Sequence, residues 1–394
     1  MAEQSASISH LAIDWSIACH TGWGVYALNL ALQARRHNIT PVVLAPSYWA
    51  TLHPIQRASL AAAEANEPKI LNSIAAAGGK TLAIECPMLI ACSGHFDSHP
   101  HAATLTAPRR VAIWVSECAQ IIPQAIERGR QMDWIIASST WNEKTLRRHG
   151  FQNVSLEFQG FDPTLFSPGP RAGLLGDLFA IFSGGKLEYR KGQDIVIAAV
   201  REFRKRHNDV VLVFAWSNPW PETARDIAAA GLVDQLVLQK DGSIDFVAWL
   251  KNSGLGNTNV INLGAISNWQ MPMVLREMDV ALLPSRCEGA TNFVAMECIA
   301  SGVPTILSAN TGHLDLINME GCYPLHKQDP VRPTTCHAVV DQWGESSIDE
   351  ILEYLERIYR DRAESRRQAM RGSEAIQWMT WEKRFPEILK RCQK

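Results

Sequence analysis

An α/β fold of two doubly wound domains, each on a parallel sheet, is what this sequence predicts. Three observations predict it. Short apolar runs alternate with stretches of helical periodicity, the pattern of a parallel sheet covered on both faces. The alternation stops at a Pro- and Gly-rich break near residues 167–177 and then restarts. The chain has 394 residues and 46% hydrophobic content, enough for two cores.

In the first half, "HLAID", "TPVVLAP", "TLAIE", "MLIACSG", "VAIWVSE" and "DWIIASS" read as buried strands. Between them, "GVYALNLALQARRHN" and "TWNEKTLRRHG" carry apolar residues at helical spacing, and residues 54–79 read as helical too. After the break, "LFAIFSGG", "VVLVFAW", "VINLGA", "VALLPS" and "PTILSA" read as strands. Ile195, Val196, Ala199, Val200 and Phe203 form one face of a helix, and Ile348, Ile351, Leu352, Leu355 and Ile358 another, which Ser346 and Ser347 can cap. The division is thus a domain over residues 1–170 and a second over 176–378. Open parallel sheets bind ligands beyond the carboxyl ends of their strands, and two such domains facing each other leave a cleft.

Composition excludes several classes. A formal net charge of −2 gives no reason to expect a nucleic-acid partner. No apolar run approaches the length of a membrane span, and "MAEQSASISH" lacks the basic and apolar segments of a secretory signal. The nine cysteines are scattered, without metal-ligand spacing, and read as reduced thiols of a cytoplasmic protein.

The chemistry-bearing stretch is "SRCEGATNFVAMECIASGVPTILS". After the strand "DVALLPS" comes a loop of small residues, then a helix that stops at Gly302 and Pro304. Amides around Gly289, Ala290, Thr291 and Asn292, at a helix start, suit a phosphate. Glu288 and Glu297 flank them: Glu288 can reach the group attached to the phosphate, and Glu297 can accept from vicinal hydroxyls such as those of ribose. Alternatively, Glu288 caps the helix and Glu297 is exposed. A second stretch, "IFSGGKLEYRKGQDIVIAAV", places Gly185 at a tight turn and Lys186 and Lys191 five residues apart across it. The two ammonium groups can converge on a diphosphate, or can simply be solvated.

These stretches resemble the retaining, nucleotide-sugar-dependent glycosyltransferases of family 4, which have the GT-B fold. "GKLEYRKG" is similar to the family's G-[RK]-L-x-x-x-K-G element, and "EGATNFVAMECIASGVP" to its acidic-pair pattern. "FQGFDPTLFSPG" resembles the interdomain segment, and "HTGWGVYALNLALQ" the N-terminal glycine loop. "MTWEKRFPEIL" resembles the closing helix, here about residues 379–394, that crosses back onto the first domain. The matches run in family order across nearly the whole chain. Two departures stand out. Eight residues separate Glu288 and Glu297, one more than is usual in the family. Glu117 stands where many members have a His.

The resemblance implies transfer of a hexose-type sugar, with retention and by a front-face route, from a UDP- or GDP-linked donor to a hydroxyl of a glycan or glycoconjugate. It implies no cofactor and no metal: Lys186, Lys191 and the loop amides would stabilise charge on the departing diphosphate. Glu288 would hold the sugar hydroxyls and Glu297 the ribose. Glu117, His20, Gly22, Gly24 and His95 would lie on the acceptor side, and peripheral membrane contact through a lipid-linked acceptor stays open. Trp23 and Trp114, near strand ends, can stack on a sugar. One rival is a catalytically silent relative that binds a nucleotide sugar or a partner glycosyltransferase, which the longer acidic spacing favours. The other, a nicotinamide-dependent dehydrogenase, lacks glycines for the dinucleotide fingerprint.

Overall fold

The computed structural model describes residues 8–218, 220–256 and 258–393; most of the segment read above for a secretory signal, and Lys394, lie outside them. The chain forms two compact units. One comprises Met1–Asp162, Ser267–Trp269 and Trp378–Lys394, the other Pro163–Ile266 and Gln270–Gln377. The Pro/Gly-rich break falls inside the second unit. Its Ala172 and Leu174 amides donate to Glu277 and its Arg171 pairs with Asp279 at 2.9 Å, which ties the segment there.

The first unit is built on six parallel strands: β1 (His10–Ile13), β2 (Thr40–Val43), β3 (Met88–Cys92), β4 (Arg110–Trp114), β5 (Trp134–Ala137) and β6 (Val154–Leu156), in the order β2-β1-β3-β4-β5-β6. "TLAIE" contributes only Leu82–Ala83, paired with Leu105–Thr106 outside the main sheet. β6, three residues long, is not among the strands read from the sequence. Met88, Ile90, Ala112, Trp114 and Ile135 lie in the core beneath the helices. Trp114 is a correction to the reading above. It ends a strand, but its ring is fully buried and stacks on Phe96 at 5.7 Å, so no sugar can reach it. The closing helix Trp381–Gln393 is clasped by paired backbone bonds, Phe161 N to Met379 O and Trp381 N to Phe161 O, both 3.1 Å. Gly160 allows this approach, since a Cβ there would sit 2.6 Å from the Trp381 nitrogen.

The second unit repeats the design with β7 (Phe179–Lys186), β8 (Val210–Ser217), β9 (Val260–Asn262), β10 (Val280–Leu283), β11 (Thr305–Ser308) and β12 (Cys322–Leu325), all parallel, ordered β9-β8-β7-β10-β11-β12. Its first six β7 residues and all of β10 and β11 are buried, as strands covered on both faces must be. The helices Gln193–Arg204 and Ile348–Arg360 pack their apolar residues into one cluster over this sheet. Ser347 takes the N-cap position of the latter helix without a side-chain cap bond, and Ser346 turns instead to Ser308 and Gln328, correcting the capping read from the sequence. Among the described residues no helix is long and apolar enough to cross a membrane. Six of the nine cysteines are buried, and Cys336 is exposed.

In the first unit the strand order reverses between β1 and β3, and there the chain buries a carboxylate. Asp14, immediately after β1, is fully buried; its Oδ1 accepts from the Ala91 amide at 2.9 Å and its Oδ2 has no partner. Burial pushes its pKa up to about 7, against the Ala91 bond and the Arg110 charge, which pull it down. The unfolded chain ionises near 3.8, so the folded state holds the proton more tightly and stability falls as pH rises from that value towards 7. Asp14→Asn removes the ionisation. The difference in thermal midpoint, Asn variant minus wild type, is expected to grow in the variant's favour between pH 4 and pH 8 on this titration; a difference that stays flat across scanning calorimetry at four pH values would refute the buried ionisation.

Candidate functional site

The second sheet reverses its order between β7 and β10, the point where doubly wound sheets receive ligands. Two loops meet there: residues 187–192 after β7 and residues 284–292 after β10. A buried ion pair joins them. Arg286, fully buried, gives Nη1 and Nη2 to the two oxygens of Asp194 at 2.8 and 2.7 Å. It also donates to Tyr189 O at 2.7 Å and to Glu345 at 2.8 Å, and lies 3.8 Å over the Tyr189 ring. Its own amide donates to Arg190 O at 2.7 Å. Gly192 lets the loops touch: it has φ +71°, and a Cβ there would meet Pro284 O at 2.2 Å.

On this frame the structure brings together Lys186, Lys191 and Glu288. Lys191 Nζ lies 2.8 Å from both Glu288 oxygens. Arg190 Nη1 donates to Glu288 Oε2 at 3.1 Å and to Cys287 O at 2.8 Å, while its Nη2 donates to Glu188. Glu188 in turn pairs with Lys186 at 2.8 Å. Ser285 Oγ and Asn292 Nδ2 donate to Glu288 Oε1 at 2.6 and 2.9 Å. Glu288 is 4% exposed, so burial pushes its carboxyl up, but the Lys191 and Arg190 charges more than offset this and hold it at about 2. Burial likewise opposes the ionisation of Glu188, and Arg190 and Lys186 again prevail, lowering it. Lys186 is the most open of the cations, one-third exposed and 5.6 Å from the Trp220 ring. Gly185, at φ +119°, lies beside the Lys191 stem.

The eight residues between the acids divide equally between the loop, Gly289 to Asn292, and the first half of the helix Phe293–Ala300. Gly289 and Thr291 are buried and Ala290 is half-buried. Asn292 turns the chain with φ +68° and caps the helix, accepting from Val294 N at 3.0 Å and Ala295 N at 3.4 Å. Glu288 does not cap the helix, and Glu297 is 6% exposed rather than on the surface. Gly312 presses against this loop, where a Cβ would meet Ala290 O at 2.1 Å. Beside it, His313 is fully buried with Nε2 3.1 Å from Asn292 Nδ2. Burial drives its pKa down to about 4, so it is neutral and that nitrogen accepts.

The first-unit candidates fall on three segments of that unit: residues 20–24 at a helix start, His95 and Glu117. Gly22 opens the helix Gly22–Arg36, and Thr21 caps it by accepting from Gly24 N at 3.1 Å. Gly24 is fixed by space, since a Cβ would meet Ala18 Cβ at 2.6 Å. His20 stands edge-on to Tyr48 at 5.3 Å. His95 is exposed, and its carbonyl accepts from Arg128 at 2.9 and 2.6 Å. Glu117 is half-buried, three residues beyond the end of β4.

Sequence reasoning missed Arg190, Glu188, Arg286, Asp194 and His313. Arg190 and Glu188 lie inside "GKLEYRKG" and were available to it. Arg286 and Asp194 are 92 residues apart, and nothing local marks either as paired. Among the described residues no group of three or more His, Cys, Asp or Glu side chains is arranged to hold a metal ion.

Asp194→Ala is expected to leave the Arg286 charge buried without its main partner. Breaking such a pair costs about 3–5 kcal/mol, readable as a lowered midpoint in urea unfolding. A loss under about 1 kcal/mol would mean that the pair does not hold the loops.

Residues 268–387 match a family model described as "Family 4 Glycosyltransferase in conflict systems", a span that includes both acids but not "GKLEYRKG" and is under a third of the chain. No curated protein sequence matches the chain. Among solved structures it is similar to sucrose-phosphate synthase from Thermosynechococcus elongatus, with TM-score 0.66 and 17% identity over 97% of this chain and 98% of that one. It is also similar to Anabaena Alr3699/HepE in complex with UDP and glucose (TM-score 0.58, 14% identity, 98% and 100% covered). An Escherichia coli trehalose-6-phosphate structure bound with UDP-2-fluoro glucose gives TM-score 0.61 at 12% identity, covering 98% and 99%. At these identities the likeness speaks for the fold, which is GT-B. The chain thus has the GT-B fold, and its residues 268–387 are similar to family 4 glycosyltransferases.

Proposed function

We propose that this chain moves a hexose-type sugar, with retention of configuration, from a UDP- or GDP-linked donor to a hydroxyl of a glycan or glycoconjugate, without a metal. The observation that carries this reading is the cluster of Lys186, Arg190 and Lys191 with Glu188 and Glu288 at the reversal point of the second sheet. Three cations gathered there against two carboxylates suit an anion. The binding of UDP or UDP-2-fluoro glucose by proteins of this fold supports a nucleotide sugar as that anion.

In this reading the carboxylates hold the places of the phosphates. A carboxylate has about four lone-pair sites. Glu288 already serves Lys191, Arg190, Ser285 and Asn292. A diphosphate drawing Lys191 away frees Glu288 oxygens for hydroxyls of the transferred sugar. The anomeric C–O bond then breaks and the electron pair leaves on the diphosphate. The acceptor oxygen bonds to the anomeric carbon from the same face, and its proton passes to the departing phosphate oxygen. Lys186 and Lys191 stabilise the charge that develops. Glu297 accepts from the ribose hydroxyls. On the acceptor side, Glu117, His20 and His95 are candidates to orient the hydroxyl. The neutralised lysines also fit a catalytically silent protein, and nucleoside diphosphate release separates the two readings.

The test is release of nucleoside diphosphate from a panel of UDP- and GDP-sugars by the purified chain in EDTA. Turnover is expected to persist there, and Lys191→Ala to lower it by a factor on the order of 10² or more, as loss of one charge-stabilising donor does. Glu297→Ala should weaken the free diphosphate about tenfold in calorimetry, and Glu288→Gln should depress turnover with that affinity nearly unchanged. Activity that vanishes in EDTA and returns with Mg²⁺ or Mn²⁺ defeats the metal-free mechanism. No release from any donor favours the silent protein.

A further inference from the structure

Residues 309–313, the turn after β11, grip the Glu288 loop along its length. Asn310 Nδ2 donates to Ser285 O at 3.0 Å. Thr311 Oγ1 accepts from the Glu288 amide at 2.8 Å and donates to Asn310 Oδ1 at 3.0 Å. The Gly312 amide donates to Glu288 O at 2.9 Å. Both backbone groups of Glu288 are therefore held by this turn. The same turn reaches its side chain by a second route, because Asn292 Nδ2 donates both to Glu288 Oε1 and to His313 Nε2. Thr311, Gly312 and His313 are all buried. The grip is also strained. Thr311 has φ +38°, in a region that side chains avoid and a β-branched one most of all. Glycine would sit there relaxed, but it has no hydroxyl for the Glu288 amide. Strain kept where a relaxed residue would serve the fold points to a functional demand.

We infer that Thr311 and His313 are positioning residues for Glu288: Thr311 fixes its backbone, and His313, through Asn292, orients its carboxylate. The inference rests on the role proposed above for Glu288 in holding the transferred sugar. A group with that task has little latitude, since misplacement by about 1 Å costs on the order of a hundredfold in rate. The cations that meet Glu288 cannot secure it alone, because in that reading the diphosphate draws Lys191 away. The bonds from the turn are made by neutral groups that a diphosphate does not compete for, so they persist when the donor binds. His313 also settles the Asn292 amide. Its neutral Nε2 accepts, so Asn292 turns Nδ2 towards it and Glu288 and leaves Oδ1 on the helix amides of Val294 and Ala295.

The test compares the full chain with four variants: Thr311→Val and His313→Leu, which remove the contacts, and Thr311→Ser and His313→Gln, which keep an acceptor. Turnover is read on whichever UDP- or GDP-sugar wild type uses fastest, and affinity for free UDP or GDP by calorimetry. Hydrogen–deuterium exchange across residues 285–292 reports the grip itself, and thermal midpoints show which variants fold. Thr311→Val and His313→Leu are expected to lower kcat by about 10- to 100-fold, with affinity for the free diphosphate within about twofold, the split of a group that acts on the transferred sugar. Thr311→Ser and His313→Gln should recover kcat to within about threefold of wild type. Exchange should quicken in Thr311→Val and not in Thr311→Ser. The inference is overturned if folded Thr311→Val and His313→Leu turn over like wild type, if diphosphate affinity falls in step with kcat, or if the conservative variants fare no better than the others. Wild type that releases no nucleoside diphosphate would sink the transferase reading. Exchange then decides the grip on Glu288, which stands if Thr311→Val alone quickens it and falls if neither variant does.

Discussion

The second unit's site hangs on one buried ion pair. Arg286 and Asp194 sit fully out of water, and the guanidinium also reaches Tyr189 O and stacks on its ring. Such a pair does not stabilise by its charge alone, because desolvation offsets most of the attraction. Its value here is geometric. A planar fork gripping two oxygens fixes distance and angle together. It thereby sets the register between the loop that carries Lys191 and the loop that carries Glu288. The contacts among Lys191, Arg190 and Glu288 are the product of that register.

Much of this was legible in the sequence, for reasons that differ by element. The parallel sheets were legible because strands covered on both faces are apolar throughout, and "LFAIFSGG" and "VALLPS" need no partner to show it. The site loops were legible because a glycine turn with flanking lysines, and small residues before a helix, are local patterns. Trp114 was misread because a strand end does not say which face its side chain takes; the ring turned inward to Phe96. The pairing of Arg286 with Asp194 was invisible because it is a contact between distant segments. The spacing of Lys186 and Lys191 fits convergence on a diphosphate or plain solvation, whereas each meets a carboxylate, Glu188 and Glu288, and spacing alone does not mark the latter pairing.

The two units meet the same electrostatic problem differently at their reversal points. In the second, carboxylates are buried and charged because cations surround them, and Glu288 is held at about 2. In the first, Asp14 has one backbone amide and an unpartnered oxygen, and burial prevails, raising it to about 7. Both are carboxylates close after strand ends in parallel sheets, and the neighbours alone decide their charge.

Asn292 shows how tightly the loop before the helix Phe293–Ala300 constrains its own future. Its backbone sits at φ +68°, its Oδ1 caps the helix, and its Nδ2 serves both Glu288 and His313. Glycine would accept the backbone but forfeit the cap and both donors. Aspartate would keep the cap but set a second negative charge against Glu288. Serine or threonine would cap yet strain the left-handed backbone. No single exchange meets all the demands, so drift at this position requires partners to change first, and the site can be rewritten there only in concert.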